Sequence, residues 1–471
     1  MAEQISNSRI LKNTFFSIGA QIISLLTSII VNLIVPRYIS ELNYAYWQTY
    51  LLYASYVGIL HFGILDGMVL RYSEFDYKDV NKSNISFHFW FLNLLLLIFT
   101  SIGIFSTYFL SSDLSKIQVV LISISILSKN LFMFSSYSYQ MTNRIKSYAW
   151  LIIRQRLLYG VFAICLLLFK VDNFVFFCIA DIIADLTGFI FSLWSNKEFY
   201  KLYKINSKHV SDLLKSLKSG LMLMIANFSS NFIVGSAKFA IQIIWSAIVF
   251  AQISFSFSIT NLFLTFVMAI SAVLFPSLKR MDKSRLPIFY SAIRGLLTPV
   301  LICALAFYFP GSYILKIWLP KYEDSLIYAG ILLPLIISST KVSLLTNNYL
   351  KAFREEKKML IINVMSMFIE LALLVFFSVL YKSLEGILIS TVLVSLVRSV
   401  ISEWLVSSHI NVKYTFENII EFLILISFII ITMNLNDSVG FIVYSELLLL
   451  YLFITYNSIK KSLGNLRRRG N

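Results

Sequence analysis

Apolar residues in this chain come in long unbroken runs, not in the alternating or one-in-three-or-four patterns of soluble strands and helices. Fourteen runs fall at 14–35, 44–66, 86–110, 117–139, 148–169, 173–194, 219–237, 250–275, 288–310, 326–349, 359–380, 384–406, 418–435 and 438–456. At 1.5 Å per residue, about 20 mostly apolar residues cross the hydrocarbon of a bilayer, so each run predicts a membrane helix. Runs without polar alternation exclude a spanning β-barrel. The expected fold is an all-α polytopic integral membrane protein. Its twelve to fourteen transmembrane helices depend on how the seventh run and the last two are counted. The longest polar stretch, "SNKEFYKLYKINSKHVSDLLKSLKSG" from Ser195 to Gly220, divides the pattern. We expect a six-helix bundle over 1–194, a cytoplasmic linker at 195–218, a second six-helix bundle at 219–406, two added helices at 407–456 and a basic tail at 457–471. Cations recur at matching places in the halves, Arg37 with Lys238 and Arg71 with Lys279 and Arg280, as parallel repeats would place them.

Composition agrees with the pattern. With 58% hydrophobic and only 14% charged residues, and a mean hydropathy of +0.78, the chain lies outside the range of soluble domains. A net charge of +16 would suggest nucleic acid in a soluble protein. Here it sits in short loops, where Lys and Arg orient helices and meet anionic membrane lipids, and no nucleic-acid partner is expected. Of the 40 Lys and Arg residues, 27 fall in the N-terminal segment, every second loop after it and the C-terminal tail, and seven in the opposite loops. Both termini are therefore expected in the cytoplasm. The run at 14–35, preceded by Arg9 and Lys12, is longer than a signal-peptide core and lacks a clear cleavage site, so it reads as a retained helix. Cys165, Cys178 and Cys303 show neither disulfide nor metal spacing.

Six cations remain inside the runs: Lys129, Arg154, Arg156, Arg294, Lys341 and Arg398. Each costs about 2.5 to 3.5 kcal/mol at the bilayer centre on insertion scales, so their retention points to an anionic ligand or to acidic partners. Together with Lys238 they are the candidate substrate-binding residues. Arg154 and Arg156 lie about 9 and 12 Å along the fifth helix and, two residues apart, on different faces. Asp181 and Asp185 share one face of the sixth helix, with Asp185 near the depth of Arg156. An Arg156–Asp185 pair that neutralises buried charge stands beside a ligand role for that Arg, and Arg154 could snorkel to the interface. Lys129, near mid-membrane, is expected to face a cavity in preference to an ion pair. Glu370 is the natural counter-charge for Lys341, Arg398 and Arg294. Asp181, Asp185 and Glu370 are also the candidates for proton or sodium coupling, with charge neutralisation as the alternative. No cofactor or metal site is indicated, since no two of the four histidines share ligand spacing on one helix. Gly63 and Gly67 form a GxxxG step suited to close helix packing. Pro299 and Pro334 can kink helices, while Pro276 and Pro310 sit at helix ends.

The run "KNTFFSIGAQIISLLTSIIVNLIVPRYIS", followed by "WQTY" and "HFGILDGMVLRYSEF", resembles the start of the Wzx-type O-antigen and capsule flippases. These are polysaccharide transporters of the multidrug, oligosaccharidyl-lipid and polysaccharide exporter superfamily. "SNFIVGSAKFAI" and "ITNLFLTFVMAISAVLFPSLKR" resemble its seventh and eighth helices, with Ala237 and Lys238 where the family often has an Asp-Arg pair. The resemblance implies two helical bundles around a central cavity in a bacterial inner membrane. It implies a flippase that carries undecaprenyl-pyrophosphate-linked oligosaccharide repeat units outward, with polymerase and chain-length regulator proteins as partners. Arg suits such a headgroup, because its planar fork matches phosphate oxygens where Lys supplies a point charge. Carrying net negative charge out of an inside-negative cell is also downhill, by about 2.3 kcal/mol per charge per 100 mV.

Two other classes compete. An O-antigen polymerase or membrane glycosyltransferase would need a long external loop or a D-x-D cluster, and "EFD" at Glu74 to Asp76 is too generic to serve. A multidrug exporter of the same superfamily would favour acids inside the membrane, the opposite of the bias here. An enzyme is therefore not the expected class.

Overall fold

The computed structural model describes residues 19–279, 286–353, 355–412 and 414–467. Arg9, Lys12, Arg280 and the end of the basic tail lie outside them, as do the side chains of Pro276 and Lys279. The described residues form thirteen helices long and apolar enough to cross a membrane, or fourteen when one bent pair is counted as a span. In chain order these are α1 (Gly19–Tyr38), the bent α2 (Glu41–His61 and Ile64–Tyr72), α3 (Lys82–Phe109), α4 (Asp113–Met141), α5 (Ile145–Leu168) and α6 (Phe174–Ser195). Then follow α7 (Ser207–Ile244), α8 (Ala247–Lys279) and α9 (Leu286–Leu305). The last five are α10 (Ser325–Lys351), α11 (Glu356–Leu380), α12 (Leu384–Ile410), α13 (Thr415–Asn434) and α14 (Asp437–Arg467). A short helix, Tyr308–Trp318, precedes α10, and Pro310 lies in its first turn, so this proline opens a helix as well as following one. Side-chain oxygens cap several of the starts: Asn81 accepts from the N–H groups of Ser83 and Asn84, and Asn173 from that of Val175.

By internal contacts the chain divides into two compact units, one ending at Phe228 and the other beginning at Ser229. The division falls within α7. The polar stretch read as a linker holds a short helix, Lys197–Tyr200, and the first turns of α7.

In the first unit, α2 is not a single straight span. It tightens into a 3₁₀ turn at Val57–His61, then breaks by 57° across Phe62 (φ 49°) and Gly63 (φ 77°). The Gly63 N–H donates to His61 Nδ1 at 3.0 Å. Beyond the break, the GxxxG pair meets α7 directly, with Gly63 against Gly220 and Gly67 against Ser216. A methyl group on Gly67 would overlap the Ser216 carbonyl oxygen, part of a helix backbone that cannot swing aside. Arg71 and Tyr72, one turn on, both bind the Asp212 carboxylate of α7. Arg71 also donates to the Asp212 carbonyl at 2.6 Å and to Ser216 Oγ at 2.7 Å. Gly67→Leu is therefore expected to destabilise the protein by about 2 kcal/mol or more, seen as a lowered unfolding midpoint in detergent. Retention of the wild-type midpoint would show that α2 and α7 can separate freely.

In the second unit, α10 is the most enclosed span, with 83% of its apolar window buried. Its α-helical hydrogen bonding is interrupted at Leu333 and Pro334 and it contains a π-helical turn at Lys341–Thr346, a geometry frequent at functional sites. Lys341 heads that turn and is buried.

Candidate functional site

The first unit gathers charge where α2, α4, α5 and α6 pack. Asp181 and Asp185, one turn apart on α6, both point at Lys129 of α4, whose Nζ lies 2.7 Å from Asp181 and 2.8 Å from Asp185. Tyr50 of α2 donates to Asp181 at 2.9 Å, and Gln155 of α5 donates to Asp185 at 3.0 Å. The cavity-facing position expected for Lys129 is thus qualified, because its charge is held by two carboxylates. The physical reason is that an ammonium at this depth loses its hydration, and two acids one helical turn apart replace it. About a quarter of the side chain stays accessible, 23% against 6% and 2% for the aspartates. Lys129→Met would leave two adjacent buried carboxylates. Allowing for that exposure, we expect a loss of about 2 kcal/mol, partly recovered in K129M/D181N and read from the unfolding midpoint. Equal midpoints for K129M and wild type would show the triad to be unimportant to stability.

The two arginines of α5 part company. Arg154 stands on a face with the exposed apolar side chains Trp150, Leu157 and Val161. Its guanidinium lies 4.4 Å from the Phe191 ring centroid and 5.9 Å from that of Trp150, the position of a snorkelling residue on an outer apolar face. Arg156, about 200° round the helix, has buried Ala149, Tyr159, Gly160 and Ala163 around its own face yet is itself exposed. It lies near enough to Asp185 for their charges to interact, without forming an ion pair. Among the described residues Asp185 pairs with Lys129, so the Arg156–Asp185 bridge considered from the sequence does not form.

The second unit contains a closed quartet. Arg294 of α9 and Lys341 of α10 face Glu403 of α12 and Glu421 of α13. The contacts are Arg294–Glu403 at 2.9 Å, Arg294–Glu421 at 2.8 Å, Lys341–Glu403 at 2.9 Å and Lys341–Glu421 at 2.9 Å. Asn418 accepts from both cations, Tyr290 donates to Glu403, and Arg294 stacks over Tyr414 at 4.7 Å. No charge in the quartet is left over. The role of counter-charge given to Glu370 is therefore corrected: Glu403 and Glu421 neutralise Arg294 and Lys341. Glu370, on α11, instead accepts a hydrogen bond from Thr391 at 2.6 Å, and its other oxygen has no partner. Arg398 on α12 is buried without an acid, donating to Ser230 Oγ at 2.6 Å while its Nε is unpaired. Lys238 is half-buried and lies over the Phe257 ring at 5.1 Å. Among the described residues, the cations named from the sequence therefore split into neutralised ones, Lys129, Arg294 and Lys341, and ones without an ion pair, Arg154, Arg156, Lys238 and Arg398.

Beside the quartet, an open groove of about 850 Å³ runs between the end of α12 and the start of α13. Val397, Ile401, Trp404, Ile419 and Leu423 form apolar walls, and Glu403, Tyr414 and Asn418 bring polar atoms to it. No group of three His, Cys, Asp or Glu side chains able to hold a metal occurs among the described residues.

An all-helical, multi-pass membrane protein with charge centres buried between its helices belongs to a limited set of folds. No protein-family model and no curated protein sequence matches the chain. Solved structures do. The lipid II flippase MurJ, in an inward closed conformation, superposes with a TM-score of 0.66 at 15% identity, over 96% of this chain and 99% of MurJ. An inward-facing multidrug resistance MATE family transporter of the MOP superfamily gives 0.63 at 12% identity, over 83% of this chain and 98% of its own. A MATE protein in the straight conformation gives 0.54 at 12% identity, over 86% and 95%. The chain has the fold these transporters share.

Proposed function

We propose that the protein is a flippase that moves undecaprenyl-pyrophosphate-linked oligosaccharide repeat units from the cytoplasmic to the outer leaflet of a bacterial inner membrane, by alternating access. Its termini would be cytoplasmic, and a polymerase and chain-length regulators would act after it on O-antigen, capsule or another glycan. The observation that carries this reading is the extent of the likeness to a lipid flippase, 96% of this chain against 83% for the MATE transporter. The motif resemblance of the first two helices supports it. So does the groove between α12 and α13, whose apolar walls suit a lipid chain.

Multidrug export is the second reading, and the MATE likeness favours it. Charge weighs against it. Among the described residues, Asp181, Asp185, Glu403 and Glu421 are each paired with Lys or Arg, Glu370 and Glu446 form no ion pair, and Asp66 lies 3.8 Å from His61. Arg154, Arg156, Lys238 and Arg398 likewise form no ion pair, so unpaired cations stand beside those acids, a balance that suits an anionic cargo better than a cationic drug. Proton or sodium coupling at Glu370, Asp181 or Asp185 would be an addition to this mechanism, since the membrane potential alone favours outward movement of an anion.

The test is deletion of the gene in its host, with lipid-linked repeat units and surface glycan both measured. Loss of surface glycan with single repeat units left facing the cytoplasm supports flipping. Repeat units that reach the outer face normally but stay unpolymerised would replace this reading with the polymerase one.

A further inference from the structure

The stretch Trp194–Lys218 carries six lysines, Lys197, Lys201, Lys204, Lys208, Lys215 and Lys218, all exposed. Its two acids are both engaged: Glu198 holds Lys201 at 2.7 Å, and Asp212 is taken by Arg71 and Tyr72 outside the stretch. Among the described residues the other five lysines form no ion pair. Apolar side chains lie exposed between them, with Trp194 83%, Leu202 78%, Ile205 67%, Leu214 59% and Val210 44% accessible. Exposed apolar groups among uncompensated cations are the composition of an anionic-membrane contact.

The stretch is not a loose polybasic tail. Phe199 is fully buried, packing its ring 5.1 Å from that of Tyr77. His209 Nε2 bonds Ser83 Oγ at 3.1 Å, and the His209 ring stacks on Phe87 at 5.7 Å. Buried His209, Leu213, Ser216 and Gly220 form the inward face of α7 here. The opposite face is therefore held fixed. Ser207, Val210, Ser211, Leu214, Lys215 and Lys218, at the i, i+3, i+4, i+7, i+8 and i+11 spacing of one helical stripe, line an open groove of about 590 Å³.

Its depth follows from α3. The 28 residues of α3 span about 42 Å at 1.5 Å each, matching the roughly 40 to 45 Å of a bilayer with its headgroups. Because His209 is tied to Ser83, in the first turn of α3, the first turn of α7 stands at headgroup level. Lys215 and Lys218, further along, reach the boundary with the hydrocarbon, where long basic side chains extend back toward phosphates.

We infer that this groove is a binding site for an anionic phospholipid of the surrounding leaflet. The phosphodiester lies against the Lys215 and Lys218 ammonium groups, which extend back toward it, and the Ser211 hydroxyl, and the upper acyl chain lies on Leu214. This site concerns the bilayer lipid, not the transported one, and does not depend on the flippase reading. The fixed basic face couples the head of α7, the helix that contains the division between the units, to the charge of the membrane.

The test places a photoreactive amino acid at Ser211 in the full chain, reconstituted in vesicles of equal phosphatidylglycerol and phosphatidylcholine, and identifies crosslinked lipids by mass spectrometry. Phosphatidylglycerol is expected to dominate, and its excess to fall about tenfold in K215Q/K218Q, given the contribution of each basic residue at an anionic surface. These lysines are exposed, so the variant should fold, which its unfolding midpoint would confirm. K357Q/K358Q, which removes basic charge from the start of α11, should leave the ratio unchanged. Crosslinks that mirror the vesicle composition, or a ratio indifferent to K215Q/K218Q, would overturn the proposal. So would crosslinking in native membranes to a protein instead of lipid, which would make the stripe a protein-docking face.

Discussion

Glu403→Gln should remove about 3 to 5 kcal/mol of stability, the largest loss expected from any single neutral substitution of a buried charge in this protein. In the intact quartet Arg294 and Lys341 each touch both acids, and all four side chains are 5% exposed or less. Removing one carboxylate leaves two buried cations sharing Glu421. At this degree of burial little water reaches the two cations to compensate, and Asn418 already accepts from both. Neutral Gln keeps the shape of Glu, so the loss reads the charge and not a cavity. K341M/E403Q, which removes one charge of each sign, should recover most of the loss, because balanced removal of a buried pair costs far less than breaking it. Thermal unfolding of the purified variants in nanodiscs decides the matter. If E403Q unfolds with the wild-type protein, the quartet is not what neutralises α9 and α10.

The quartet also shows where sequence reading reaches its limit. The membrane helices are legible because about 20 consecutive apolar residues leave a signal no other element imitates. Glu403 and Glu421 escape notice for a related reason. They fall within a turn of the ends of the runs at 384–406 and 418–435, where a charge is ordinarily assigned to the interface. Only tertiary packing, which brings those two ends beside Arg294 and Lys341, makes them core residues. The signal that could have found them is charge balance, since two buried cations on neighbouring spans need two acids and Glu370 is one.

Local geometry is hidden in the same way. The run at 44–66 reads as one helix, and the left-handed backbone at Phe62 and Gly63 that bends α2 appears only against α7. The stretch at 195–218 is polar enough to read as a linker, yet His209, Leu213 and Ser216 recur at helical spacing and are buried. Its lysines conceal an amphipathic helix. The two-residue spacing of Arg154 and Arg156, by contrast, carries real information, because two steps of about 100° each set them on different faces of any α-helix.

That spacing supports the second large effect. If the proposed substrate is right, Arg156→Gln should cut translocation about tenfold to a hundredfold, the loss of one charge-assisted contact worth about 1.5 to 3 kcal/mol. Arg156 is exposed on a face it shares with buried Ala149, Tyr159, Gly160 and Ala163, and Lys129 already holds the nearby Asp185. Its guanidinium is therefore available to a phosphate. Arg156→Lys should retain part of the activity, since a point charge replaces a two-pronged donor. Arg154→Gln should transport nearly as wild type, because that side chain lies over Trp150 and Phe191 among exposed apolar residues. Flipping of a lipid-linked oligosaccharide in proteoliposomes, normalised to folded protein, separates the two. Wild-type flipping by R156Q alongside a block in R154Q would reverse the assignment and move the substrate contact to the other face of α5.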